Sequence, residues 1–215
     1  MIHDDAGEYI LEIDGEIVVE EEGGAAVRAG TICAYLLEGT RAINDGESLE
    51  DSCDAHSVEL AEVHALVYDE DGIKGSISDG CSGDDVLFVA TIVVFPEHRG
   101  RRLGQIALQR TIDTFGTRAA VALLKPYPLQ FQHESARSEK WREDQRMDAF
   151  DRDQPRATAR LAAYWNEVGF QAIGGPVVQP TSMWNPPPMA IDPSEWFTRD
   201  MQRAGPTLDT FVDDA

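Results

Sequence analysis

Val93 to Arg110 reads VVFPEHRGRRLGQIALQR, and it places Arg99, Arg101, Arg102 and Arg110 around Gly100 and Gly104. These residues fall where an apolar, β-branched run gives way to a helical pattern. The first turn of a helix offers backbone N–H groups without intrahelical partners, and the macrodipole makes that end positive. Glycine lets a ligand come close to the backbone, and guanidinium groups add charge-assisted donors. The chemistry such a junction performs is anion capture, most simply of a pyrophosphate. The competing reading is a basic helix start that pairs with the chain's own carboxylates. Three arginines in a first turn oppose the dipole, so something negative must offset them. The turn is not a P-loop, because no Gly-Lys-Ser/Thr follows it.

The elements that must position this junction can be read from periodicity. VLFVATIVVF, residues 86–95, is a continuous apolar run, as expected of a strand buried on both faces, and Pro96 stops it. A helix is expected from about Gly100 to Phe115, with Gly104, Leu108, Ile112 and Phe115 on one face and Gly116 as its C-cap. AAVALLKP, residues 119–126, supplies a second buried strand. ATARLAAYWNEVGF supplies a helix with Leu161, Tyr164, Trp165 and Val168 on one stripe, and FQAIGG starts another strand. Upstream, Ile10, Ile13, Ile17 and Val19 alternate around an Asp14-Gly15 turn signal, which predicts a hairpin or two short strands. A strand follows and ends at Gly39. Residues 44–56 read as a polar, turn-rich loop. Leu60, Val63, His64 and Val67 then mark an amphipathic helix capped by Ser57 or Asp54. Strands alternating with helices predict an α/β sandwich with a parallel crossover between the strands at 86–95 and 119–125.

Two segments do not fit that alternation. Residues 130–156 are dense in charge and read as a solvated helical or mobile insertion. From Pro176 to Trp196 the chain places six of its 11 prolines, so 176–215 reads as a loop-rich extension of a domain spanning 1–175.

The junction and the later helix together resemble the GNAT superfamily of acyl-CoA-dependent N-acyltransferases. VVFPEHRGRRLG is similar to the family's Arg/Gln-x-x-Gly-x-Gly/Ala acetyl-CoA signature. Arg99 matches its first position and Gly104 its last, while Arg102 stands at the middle glycine, where it is tolerated if φ stays negative. LAAYWNEVGF resembles the helix-then-strand motif Leu-Tyr-x-x-x-Gly-Phe, with Gly169 and Phe170 in place about 65 residues after Gly104. The resemblance covers residues 86–175 and implies a GNAT-like mixed central sheet flanked by helices, in which a bulged strand at 86–95 splays from the strand at 119–125. Acyl-CoA, most simply acetyl-CoA, is then the co-substrate. The main chain of Ile92 and Val94 pairs with pantetheine as a pseudo-strand. The amides of Arg99, Gly100, Arg101, Arg102, Leu103 and Gly104 hold the pyrophosphate. The reaction implied is direct acyl transfer to a primary amine, with a general base for the amine and an acid for the thiolate.

The tyrosine the family often uses as acid falls on Trp165 here, and an indole N–H does not titrate usefully. Tyr164, about 100° round the helix, is the remaining acid candidate, although aromatic pairs at this spacing usually belong to the core. Glu59, His64 and His56 are candidate bases, and a lone histidine on an apolar face is more often a packed residue than a base. Lys125 and Tyr127 follow the second strand at its C-terminal end, where open α/β sheets place their sites. They line an acceptor pocket or a rigid exit loop. The alternative to catalysis is an acyl-CoA-binding regulatory module.

Composition bounds these readings. The chain has 215 residues, 42% of them hydrophobic and 27% charged, and a formal net charge of −21. That field disfavours nucleic acid and anionic membrane as partners. The carboxylate-rich, lysine-poor surface, with only Lys74, Lys125 and Lys140, suits a high-salt cytoplasm. Its charge mildly favours a cationic acceptor, either a small amine or a protein amino group. No run approaches the roughly 18 apolar residues of a membrane span, and MIHDDAGEYI lacks the features of a secretory signal. The expected location is therefore cytoplasmic, with a homodimer left open. Cys33, Cys53 and Cys81 have no metal or redox spacing and are read as reduced thiols.

Overall fold

The computed structural model of the chain describes residues 8–78, 83–132, 138–173 and 189–191. Strand β1, Ile10–Glu20, pairs antiparallel with β2, Ala26–Glu38. No turn forms at Asp14-Gly15. Gly15 sits inside the ladder opposite Ile32, where a Cβ would come within 2.8 Å of Ile32 Cγ2. The chain reverses instead at Glu21–Ala25, because Gly23 and Gly24 supply the positive φ angles of 117° and 80° that the reversal needs.

The stretch expected as loop is largely helical. Helix α1 spans Gly39–Asp45, α2 spans Leu49–His56 and α3 spans Val58–Val67. Ser48 caps α2 by accepting from the Asp51 N–H at 3.1 Å, and Glu50 and Asp51 place negative charge in its first turn. Ser57 caps α3 by accepting from the Leu60 N–H at 3.2 Å, one of the two caps expected. A separate two-stranded ribbon follows, β3 at Tyr68–Asp69 and β4 at Gly72–Ile73, with α4 at Gly75–Ser78 after it.

Strand β5, Asp85–Val94, enters the centre of the sheet antiparallel to β2. Helix α5 is Leu103–Phe115 and β6 is Val121–Leu124. Beyond them lie α6 at Glu139–Asp144, α7 at Gln154–Asn166, β7 at Gln171–Ala172 and β8 at Met189–Ile191. Asp153 caps α7 by accepting from the Arg156 N–H at 3.0 Å, with Pro155 in its first turn. The sheet runs β1-β2-β5-β6-β8-β7 and is mixed, with β5 and β6 its parallel pair. The parallel crossover between the two apolar strands is therefore present.

Each face of the sheet carries its own core. On one side Leu60, Val63 and Val67 of α3 pack with Phe88 and Leu123. On the other, Leu108 and Ile112 of α5, Trp165 of α7 and Phe170 pack with Leu87 and Ala122. Each such side chain, taken fully from water, contributes about 1.5–3 kcal/mol. The alternation of Leu87 and Phe88 between these cores is why the strand has no polar face.

Two expectations change. The charged segment 130–156 is not merely solvated: Gln145 and Met147 are buried, and a 3₁₀ turn at Met147–Ala149 packs inward. Within the presumed extension, Met189–Ile191 joins the main sheet beside β6. The rest of 176–215 lies outside the described residues. Among the described residues no helix is long and apolar enough to cross a membrane.

Candidate functional site

The pairing of β5 with β6 covers Val86–Val89 against Val121–Leu124 and goes no further, while β5 continues to Val94. The ladder with β2 changes register there: Cys33 faces Thr91 and Ala34 faces Val89, so Ala90 is the extra residue of a bulge. Beyond that point lies a cleft of about 700 Å³, lined by Val89–Val94 on one side and by Leu124 and Lys125 on another. Phe95 N–H donates to Ala29 O, which turns the Phe95 main chain toward β2. By the alternation of an antiparallel ladder, the main chains of Val94 and Ile92 turn the other way, into the cleft. The main-chain groups of Ile92 and Val94 thus lie on the cleft side of β5. Val94 O is already used, because it accepts from Arg99 Nε at 2.9 Å.

The basic junction forms the far end of the same cleft. A 3₁₀ turn at Pro96–His98 leads through Gly100, at φ 82°, and Arg102, at φ 58°, into α5. The condition set for an arginine at this position, a negative φ, is not met. Arg102 occupies the left-handed conformation, which glycine adopts readily and a residue with a side chain adopts at a cost. Arg102 is the N-cap of α5 but makes no side-chain cap bond. Its guanidinium lies 3.7 Å from Glu167, with both side chains exposed. An exposed pair of this kind contributes little, so the arginine remains available to an anion. Arg102→Gly is expected to raise stability by roughly 1 kcal/mol through relief of the left-handed strain, read as a higher urea midpoint, while weakening anion binding. An unchanged midpoint would remove the strain from the account.

Arg99, expected to donate to an anion, is instead committed to the protein. Its Nη2 donates to Gln145 O at 2.8 Å, and its guanidinium stacks on Phe150 at 4.7 Å. Arg99 thus ties the 138–150 segment to the end of β5, and that segment becomes a wall of the cleft. The signals for this wall were Met147 and Phe150, isolated apolar residues in a charged stretch.

Gly104 is buried in the first turn of α5, where an added Cβ would lie 3.3 Å from the Tyr164 hydroxyl. That hydroxyl accepts from Gln105 N at 3.2 Å, and Gln105 Nε2 donates back to Tyr164 O at 2.9 Å. Tyr164 therefore caps α5 from the neighbouring helix, and burial raises its pKa, with the Gln105 N–H pulling the other way. Its ring meets Trp165 edge-on at 4.7 Å, and Trp165 is a core residue.

At the opposite end, Lys125 lines the cleft with its side chain 9% exposed and its Nζ 3.7 Å from Glu59 Oε1. Tyr127 faces the ammonium at 5.6 Å. Burial raises the Glu59 pKa, and Lys125 acts against it. Burial likewise lowers the Lys125 pKa, and Glu59 and Glu62 act against it. Of the proposed bases, only Glu59 approaches a residue that lines the cleft, Lys125, and Glu59 itself stands outside that lining. His64 stacks on Tyr68 at 4.9 Å, away from the cleft lining, with its pKa lowered by burial. His56 packs edge-on against Tyr35 at 5.3 Å. Burial pushes the Cys53 thiol up to about 12 and raises that of Cys33. Cys81 lies outside the described residues.

Fold and site together define a class: an α/β protein whose mixed sheet opens a strand edge toward a basic helix start across one cleft. No family model, curated protein or solved structure matches the chain.

Proposed function

We propose that the chain is an acyl-CoA-dependent N-acyltransferase of the GNAT type, most simply an acetyltransferase acting on a primary amine. One observation carries this reading: the unpaired edge of β5 leads directly into the arginine- and glycine-bearing start of α5, and both face one cleft. In this reading the end of the β5–β6 pairing and the bulge at Ala90 are the splayed strands of the family. The groups present fit acyl-CoA. Ile92 offers an N–H and a C=O to pantetheine, and the amides of Arg102, Leu103 and Gly104 face the pyrophosphate with no intrahelical partner. Arg101 and Arg102 add charge.

Glu59 takes the proton from the acceptor amine. Tyr164, fixed beside the first turn of α5, keeps its proton and steadies that turn. The leaving thiolate, with a thiol pKa near 8.5, is protonated from solvent. The buried Trp165 at the family's acid position favours a second reading, an acyl-CoA-binding module without catalysis.

Acetyl-CoA at about 100 times its Kd is expected to stabilise the chain by about 2.7 kcal/mol, which is a Tm rise of roughly 5–10 °C at this size. Absence of a shift in both low and high salt overturns both readings. Thiol release over a panel of amines separates them.

A further inference from the structure

Tyr164 lines the cleft from α7, and its hydroxyl lies against Gly104, 3.3 Å from where a Cβ on that glycine would be. The hydroxyl accepts from Gln105 N at 3.2 Å. That N–H already donates to Arg102 O at 2.9 Å, so the first turn of α5 does not need the hydroxyl to satisfy it. A hydroxyl that accepts one bond still has a proton to donate. Among the described residues, the bond it accepts is the one hydrogen bond the Tyr164 hydroxyl makes. Burial raises its pKa, so that proton stays in place at neutral pH.

Two charges act on this hydroxyl, Arg102 and Glu167. Glu167 also lines the cleft, with its carboxylate 3.7 Å from the Arg102 guanidinium and 3.4 Å from Gln105 Nε2. It is the C-cap of α7, where the macrodipole disfavours a carboxylate. Its placement is therefore unfavourable to its own helix and is offset by the cation and the amide it meets at the start of α5. The other charges that line the cleft have different neighbours. Arg99 is tied to Gln145, Asp151 to Arg156, and His98 lies 4.0 Å from Glu97. Arg160 acts on Asp151, and Lys125 meets Glu59 at the opposite end.

We infer, resting on the acyl-CoA reading above, that Tyr164 is a ligand of the anion at the start of α5, its hydroxyl donating to a pyrophosphate oxygen, and that Glu167 is the carboxylate this pyrophosphate displaces from Arg102. The pyrophosphate gives the hydroxyl its second hydrogen bond. It also takes a guanidinium that an exposed carboxylate holds only weakly. Glu167 then stands beside an anion of its own sign, so it opposes binding. The two neighbours on α7 thus act in opposite directions, one adding a donor and the other a repulsive charge. Together they set the site against singly charged anions, which do not make up for the displaced carboxylate.

The test is calorimetric titration of the full chain with acetyl-CoA and with S-acetylpantetheine, which carries no phosphate. Tyr164→Phe is expected to weaken acetyl-CoA on the order of 10-fold, as for loss of a hydrogen bond to a charged group, and to leave S-acetylpantetheine unchanged. Glu167→Gln keeps an acceptor for Gln105 and is expected to tighten acetyl-CoA by about 5-fold at low salt, with the gain shrinking as salt rises. A Tyr164 whose role is only structural weakens both ligands alike, and that result overturns the inference. Acetyl-CoA affinity that is unchanged in Tyr164→Phe, or that does not rise in Glu167→Gln, overturns it too. Glu167 is exposed, so its variant decides the matter if Tyr164→Phe fails to fold. Each of these results leaves the acyl-CoA reading standing. No binding of acetyl-CoA by the unmodified chain overturns both.

Discussion

Glu59→Gln is expected to lower kcat by roughly 10²- to 10⁴-fold, the range over which a positioned general base contributes, while acetyl-CoA stabilisation is retained. The substitution keeps the size of the side chain and removes only its ability to accept the amine's proton. Its position explains why the base has to be this residue. Among the candidate bases, Glu59 is the one that approaches a cleft-lining residue, Lys125, whereas His64 and His56 are occupied by Tyr68 and Tyr35. The pH dependence has a definite sign. Burial raises the Glu59 pKa, so the carboxylate form is lost at a higher pH than for an ordinary glutamate. Activity should fall with decreasing pH along a limb displaced above the usual carboxylate range, and that limb should be missing from the variant. An unchanged pH profile in Glu59→Gln would overturn the assignment.

The same shift bears on stability. A carboxyl whose folded pKa is raised contributes most below its unfolded value, and that contribution is lost as pH rises through the folded one. Asp151 behaves in the opposite way. Hydrogen bonds from Arg156 hold it down at about 2, so its contribution is present above the unfolded value and disappears on acidification through the folded one.

Gly30→Ala is expected to produce the largest loss of stability, about 3 kcal/mol or more. Gly30 faces Val94 in the β2–β5 ladder, and an added Cβ would fall inside the contact radius of the Val93 carbonyl oxygen. It would also lie 3.1 Å from Ile17 Cδ1. Backbone from the central strand cannot yield as a flexible side chain can, so β2 and β5 must separate. A chain of this size should lose roughly 6–12 °C in Tm. Gly75→Ala is the control: nothing lies within 4 Å of the added carbon, and its effect should stay within about 0.5 kcal/mol. A wild-type midpoint for Gly30→Ala in urea unfolding would mean that the two strands are not so closely joined.

The central elements were legible because their signals are local and repeated. The apolar run of β5, the 3.6-residue stripe of α5 and the caps at Ser57 and Gly116 each depend on neighbours in sequence. The failures came where a local signal was overridden. Asp14-Gly15 has turn chemistry, but Gly23 and Gly24 sit where the chain has to reverse, and the ladder absorbs Gly15. Helix α2 was hidden by its polarity, although Ser48 with Glu50 and Asp51 is a helix-start pattern and Leu49 and Cys53 are spaced to bury one face. The candidate site was legible at its basic end, where strand, glycine and arginine are contiguous. Its other end depends on Glu59 meeting Lys125 across 66 residues, and no periodicity encodes that. The use of Arg99 as a tie and the left-handed turn at Arg102 were likewise invisible, because residue type does not reveal which partner a side chain selects.

The Arg99 tie also has a kinetic meaning. It joins residues 46 apart, so the segment carrying Gln145 gains nothing from it until β5 is already in the sheet and the intervening chain has been closed into a loop. The outer wall is thus a late addition to a finished sheet and the part that opens at least cost. One guanidinium thus spans the two, with Nε on Val94 O at the strand edge and Nη2 on Gln145 O in the wall.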